Sequence, residues 1–119
     1  MAKHNEFGRR GEQLAVDYLL DQGYEICEKN YRYLKAEVDI IARKDDFLVI
    51  VEVKSRTEGF VEEISQTLSK KKIALLTMAA DYYVQKNDIK EEVRFDLITI
   101  IQKKGDINLK HVKNAFYFF

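Results

Sequence analysis

Apolar positions along this chain switch between two periods, and the switches mark out its elements. Across residues 5–22, Phe7, Gly11, Leu14, Ala15, Tyr18 and Leu19 recur three and four apart. That spacing predicts a helix with one buried stripe, and Gly23 supplies its stop. Residues 24–34 scatter Tyr24, Ile26, Tyr31 and Tyr33 among polar neighbours and read as a strand. The segments AEVDIIAR at 36–43 and FLVIVEVK at 47–54 are the clearest strands, rich in β-branched residues and separated by a polar turn at Asp45 and Asp46. Residues 62–87 predict one long helix, with Ile73, Leu76, Thr77, Ala80, Tyr83 and Val84 on a single face. EVRFDLITIIQ at 92–102 returns to strand character, and a Lys-Lys-Gly-Asp turn follows at 103–106. The tail reads as a last strand or an irregular edge segment, with its aromatic end packed on the core. The order helix, three strands, helix, strand predicts an α/β fold with helices packed on a mixed sheet.

Composition narrows this picture without redirecting it. The chain has 119 residues, 46% hydrophobic and 34% charged, which suits a single domain with one core and a charged surface. With five glycines and no proline, regular elements joined by short connections are expected. The single cysteine, Cys27, excludes an intramolecular disulfide and reads as a small reduced core residue. MAKHNEFGRRGEQ lacks the apolar centre of a signal peptide, and no apolar run has the length of a membrane span. A soluble, cytoplasmic protein without membrane association is therefore expected. Twenty basic and twenty acidic side chains leave no net charge, so any nucleic-acid surface must be a local patch.

The candidate chemistry lies in EVDII at 37–41 and VEVKSR at 51–56. Strand side chains alternate between faces, so Glu52 and Lys54 share a side, as do Glu37, Asp39 and Ile41. With a two-residue turn at Asp45-Asp46, Lys44 opposes Phe47, Ile41 opposes Ile50, Asp39 opposes Glu52 and Glu37 opposes Lys54. Directly opposed residues have Cβ atoms about 4.5–5.5 Å apart. Only an even-length turn gives this pairing; a three-residue turn would put the two carboxylates on opposite faces. Side by side on strands of Ile, Val and Leu, two carboxylates repel and are costly to bury. A divalent cation removes the conflict, since Mg²⁺ takes one or two carboxylates and fills its octahedron with water and phosphate oxygens. Such an ion activates water and offsets charge on a phosphodiester, and Lys54 is placed to orient the water or stabilise negative charge. The plainer alternative is a same-strand Glu52–Lys54 ion pair with Asp39 facing solvent.

Other residues extend the pattern. Glu12 borders the buried stripe of the first helix and either leans toward the sheet or stays solvated. Arg9 and Arg10, Arg56, and the Lys70, Lys71, Lys72 cluster are candidate phosphate contacts, which position nucleic acid without reading its sequence. Asp96 and His111 read as structural hydrogen-bonding groups.

The Asp39, Glu52-Val53-Lys54 pattern resembles the PD-(D/E)xK nuclease superfamily. GRRGE at 8–12, NYRY at 30–33, EVDIIAR at 37–43, VEVKSR at 51–56, the lysine near the start of the long helix, RFD at 94–96 and HVKNAF at 111–116 together resemble the YraN family. That bacterial family is similar to Holliday-junction resolvases, and the likeness runs through nearly the whole chain. It implies a restriction-endonuclease-like three-layer α/β core. It further implies Mg²⁺ or Mn²⁺ held by Asp39, Glu52 and Glu12, with Lys54 as the catalytic lysine and Lys72 as the family's helix lysine. Gln66 falls where some of these nucleases place a polar residue near substrate. The implied partner is DNA, with branched or junction DNA as the candidate substrate, and resolvases of this fold work as homodimers. The alternative is a non-catalytic nucleic-acid-binding module that retains the nuclease fold. Two positions depart from the family pattern: Ala36 stands where glycine is usual, and Asp45-Asp46 replaces a glycine-containing turn.

Overall fold

The computed structural model describes residues 2–57 and 68–116, with side chains from Gly8 onward. Gln66, residues 62–67 of the expected long helix and the last three aromatic-rich positions lie outside the described residues. The elements are α1 (Ala2–Asp21), β1 (Glu25–Tyr33), β2 (Ala36–Lys44), β3 (Phe47–Thr57), α2 (Lys70–Lys86), β4 (Glu92–Lys103) and β5 (Asp106–Val112). The five strands form one sheet in the order β1-β2-β3-β4-β5, antiparallel except for the β3/β4 pair. A helix covers each face, giving the expected three-layer α/β core.

The long apolar run of β3 follows from its place at the centre of the sheet. A strand covered on both faces needs apolar side chains at every position. Leu48 and Ile50 join the α2-side core, with Leu76, Ala79, Ala80 and Tyr83 of the helix, Val38 and Ile41 of β2, and Leu97 of β4. Val49 and Val51 join the α1-side core, with Ala15, Val16 and Leu19, Ile40 of β2, and Ile98 of β4. The helix α1 lies close over β3: a Cβ built on Gly11 would overlap Ser55 Oγ. Phe116 is buried and packs on Phe95 at 5.2 Å between ring centroids, so this part of the aromatic tail belongs to the core.

One expected boundary is corrected. The periodicity predicted a helix from residue 62, whereas α2 begins at Lys70. Ser69 is extended (φ −73°, ψ 161°) and its hydroxyl accepts the Lys72 N–H at 3.1 Å. This is an N-cap: the serine side chain satisfies a main-chain donor that has no partner inside the helix, and it fixes the helix start there. Among the described residues no helix is long and apolar enough to cross a membrane.

Candidate active site

The β2–β3 hairpin has the even turn the sequence required. Lys44 opposes Phe47, Ile41 opposes Ile50 and Ile40 opposes Val51 across Asp45-Asp46. Asp45 adopts φ 55°, a left-handed conformation that aspartate tolerates better than most residues, so the turn closes without a glycine. The next pair in this register would be Asp39 and Glu52, but the regular ladder ends at Ile40. Val38 and Ile41 both belong to the α2-side core, so the alternation of faces breaks once between them. The Val53 N–H donates to Asp39 Oδ2 at 2.8 Å. The aspartate side chain therefore serves as acceptor where the strands part, and its carboxyl group lies within hydrogen-bond reach of Glu52. The expected opposition of Glu37 and Lys54 is not formed: Glu37 takes Arg32 at 3.0 Å at the exposed edge instead. The cause is the same parting of β2 from β3.

Glu52 is the most constrained member, with a side chain only 3% exposed. Its Oε2 accepts Lys54 Nζ at 3.2 Å, and Lys72 Nζ of α2 stands 3.6 Å away. The Glu52–Lys54 ion pair of the plainer reading is thus present. Asp39 is half-buried at a cavity wall rather than turned out to solvent: burial first, then the Glu52 charge, push its carboxyl up from 3.8 to about 7, against the lowering effect of the Val53 N–H. Glu12, on α1, is partly buried and lines a cavity of about 220 Å³ together with Asp39. Burial raises its carboxyl from the usual value, and the charges of Glu37 and Glu52 add to the rise.

The other candidates divide. Arg9 lines the same cavity, while Arg10 is exposed on α1 outside that lining. Arg56 follows Lys54 on β3 and donates to the Ser55 carbonyl at 2.9 Å. Lys72 meets the acidic pair itself, a contact that the spacing of the lysine cluster did not specify. Away from the site, Asp96 is fully buried between Arg94 Nη2 (2.9 Å) and His111 Nε2 (2.7 Å) and accepts the Asn114 N–H at 3.0 Å. Tyr18 closes this network on His111 Nδ1 at 2.9 Å. The structural reading of Asp96 and His111 fits that geometry. Gln13, Lys29 and Asn30 also line the Asp39 cavity, and spacing gave no reason to single them out.

The donor set suits a hard divalent cation. Among the described residues no three acidic, histidine or cysteine side chains converge on one point, so Asp39 and Glu52 form the inner pair and Glu12 stands further out. Two carboxylates are what Mg²⁺ takes from a protein when water and phosphate supply the rest. Glu52 Oε1 is buried and has no hydrogen-bond partner among the described residues. A lone carboxylate oxygen in that position is costly, and a cation or a proton shared with Asp39 satisfies it.

A model of the uncharacterised protein family UPF0102 matches residues 11–100. A UPF0102 protein of Christiangramia forsetii is 44% identical over 119 residues, spanning 100% of both chains. One from Flavobacterium psychrophilum is 42% identical over 119 residues, again spanning 100% of both. One from Bacteroides thetaiotaomicron is 43% identical over 117 residues, 98% of this chain and 97% of the relative.

Proposed function

The chain belongs to the uncharacterised family UPF0102, the YraN family its motifs resemble, and we propose that it is a metal-dependent endonuclease acting on DNA. The observation that carries this reading is the Asp39–Glu52 pair. Its carboxylates are held together against their repulsion, with Asp39 pushed up to about 7 and Glu52 Oε1 left without a donor among the described residues. Groups whose ionisation is this disturbed, beside a cavity that Asp39 and Glu12 line, concentrate at functional sites.

In this reading Asp39 and Glu52 hold Mg²⁺ or Mn²⁺, and Glu12 accepts hydrogen bonds from water at the cavity wall. Bound there, the cation lowers the pKa of water and offsets charge on the phosphodiester. Lys54 presents its ammonium from the Glu52 side to the attacking water or to a phosphate oxygen gaining charge. Water adds to phosphorus and the bond to the 3′ oxygen breaks, leaving a 5′ phosphate and a 3′ hydroxyl. Lys72 balances the buried Glu52 charge from the opposite layer. Arg9, Arg10 and Arg56 supply phosphate contacts. A four-way junction presents two equivalent strands, which suits two copies of the chain.

Labelled linear, single-stranded and four-way-junction DNA, incubated with Mg²⁺ or Mn²⁺ and then with EDTA, tests the proposal. Cleavage should need metal and disappear in Asp39→Asn, which also guards against a contaminating nuclease. Binding without cleavage in either metal would replace the enzyme with a nucleic-acid-binding module. Absence of binding to any of the three would remove both.

A further inference from the structure

Two neighbouring strands deform at one level of the sheet. Asn30 lies within β1 yet has φ 52°, the left-handed region. The pairs Lys29↔Ile40 and Tyr31↔Val38 place it opposite Asp39, where β2 breaks its alternation. Non-glycine residues in this region cost energy, and such outliers gather at functional sites. Asparagine is among the residues that tolerate it best. Both side chains line the cavity against α1, together with Arg9 and Lys29.

The rim of that cavity is a set of donors without work in the folded chain. Among the described residues Arg9, Lys29 and Asn30 have no ion pair and no side-chain hydrogen bond. A guanidinium, an ammonium and a side-chain amide are the groups that bind phosphate oxygens. The wall beyond them carries Asp39 and Glu12, so an anion seats on the rim rather than on the floor. A volume of about 220 Å³ admits a phosphodiester with its waters.

We propose that Arg9, Lys29 and Asn30 form a phosphate-binding subsite, gripping the nucleic-acid strand beside the bond held at Asp39 and Glu52. This deepens the nuclease reading and rests on it. The bend at Asn30 serves to turn its amide into the cavity. Lys29 and Arg9 add charge that fixes the strand without reading sequence.

Fluorescence anisotropy of a labelled DNA duplex, in Ca²⁺ and across a salt series, tests the subsite without needing turnover. Arg9→Gln and Lys29→Gln should each weaken binding and lower the salt slope by about one. Asn30→Gly keeps the left-handed backbone and removes the amide, and should weaken binding about tenfold. Asn30→Asp keeps shape and backbone but brings an anion, and should weaken binding at least as much. Thermal melts report whether each variant still folds. Wild-type affinity and slope in all four would overturn the subsite while leaving the nuclease reading in place. A wild-type chain that binds no DNA would overturn both.

Discussion

Replacing Asp39 by asparagine should make the metal-free protein more stable and abolish its response to metal. The folded chain holds the Asp39 carboxyl protonated up to about pH 7, mainly through burial and then through the charge of Glu52. The unfolded chain ionises it near 3.8. Between those values the folded state binds more protons, so stability falls as pH rises. It is complete below about 3.8 and lost once pH passes about 7. At about 1.4 kcal/mol per pH unit, the full span comes to about 4 kcal/mol as an upper bound. Asp39→Asn removes this term and keeps an oxygen for the Val53 N–H. Its amide can also donate to Glu52 Oε1, the buried atom that has no partner among the described residues.

Urea unfolding in EDTA at pH 4, 6 and 8 measures the effect. The two proteins should be nearly equal at pH 4, with the variant ahead by up to about 4 kcal/mol at pH 8. Adding Mg²⁺ should then raise the stability of the wild type only, by about 2.7 kcal/mol at a hundredfold excess over its dissociation constant. Parallel pH profiles for the two proteins would refute the claim that Asp39 is held protonated. Equal stabilisation of both by Mg²⁺ would refute its place as a metal ligand.

Three further outcomes are expected. Lys54→Gln should lower the cleavage rate about a hundredfold or more with little change in DNA affinity, whereas Lys72→Met should chiefly destabilise the fold by removing one of two cations beside buried Glu52; single-turnover kinetics and urea unfolding separate them. Asp96→Asn should cost about 3–5 kcal/mol, because it strips the charge from a fully buried partner of Arg94. His111 and Arg94 hold the Asp96 carboxyl below its usual value, so the wild type loses this stability as pH falls through that lowered value, and the acid limb of its stability curve should flatten in the variant. Gly11→Ala alone should gain little, since the new Cβ meets Ser55 Oγ, while in a Ser55→Ala background it should recover the helix-propensity gain of about 1 kcal/mol; a double-mutant cycle by thermal unfolding reads the coupling.

Much of the fold was legible because burial on two faces leaves a plain signature. FLVIVEV is apolar at nearly every position, and the strand that carries it is the middle one. The Asp45-Asp46 turn also set the register correctly, since every pair from Lys44↔Phe47 to Ile40↔Val51 follows from its length. Extrapolation failed where the strands stop being regular. Period-2 counting put Glu37 opposite Lys54, and no count of spacing shows that β2 breaks stride at Asp39. The start of α2 was missed because the apolar period continues past Ser69, while a single hydroxyl cap decides the boundary. Lys72 was legible as a lysine on the helix but not as a partner of Glu52, because that contact joins two layers of the fold. Asn30 was hidden for a similar reason: a left-handed residue inside a strand has no compositional mark.

The failure of the ladder at Asp39 is also what lets the two carboxylates meet. Had β2 and β3 stayed paired, Asp39 and Glu52 would stand side by side on one face with parallel side chains, and each would be free to turn toward water. With the strands parted, the Val53 N–H is left over, and Asp39 Oδ2 takes it at 2.8 Å. That bond fixes one aspartate oxygen. Glu52 is fixed in turn by Lys54 at 3.2 Å and Lys72 at 3.6 Å, both on Oε2, so its free oxygen is Oε1. Each carboxylate thus spends one oxygen on the fold and keeps the other. Two preset oxygens lose little entropy on binding an ion, which is how a pair of ligands from rigid strands gains affinity over a pair from loops. The same division means that Asp39→Ala confounds two losses, the ligand and the acceptor of the Val53 N–H. Asp39→Asn keeps the acceptor and separates them.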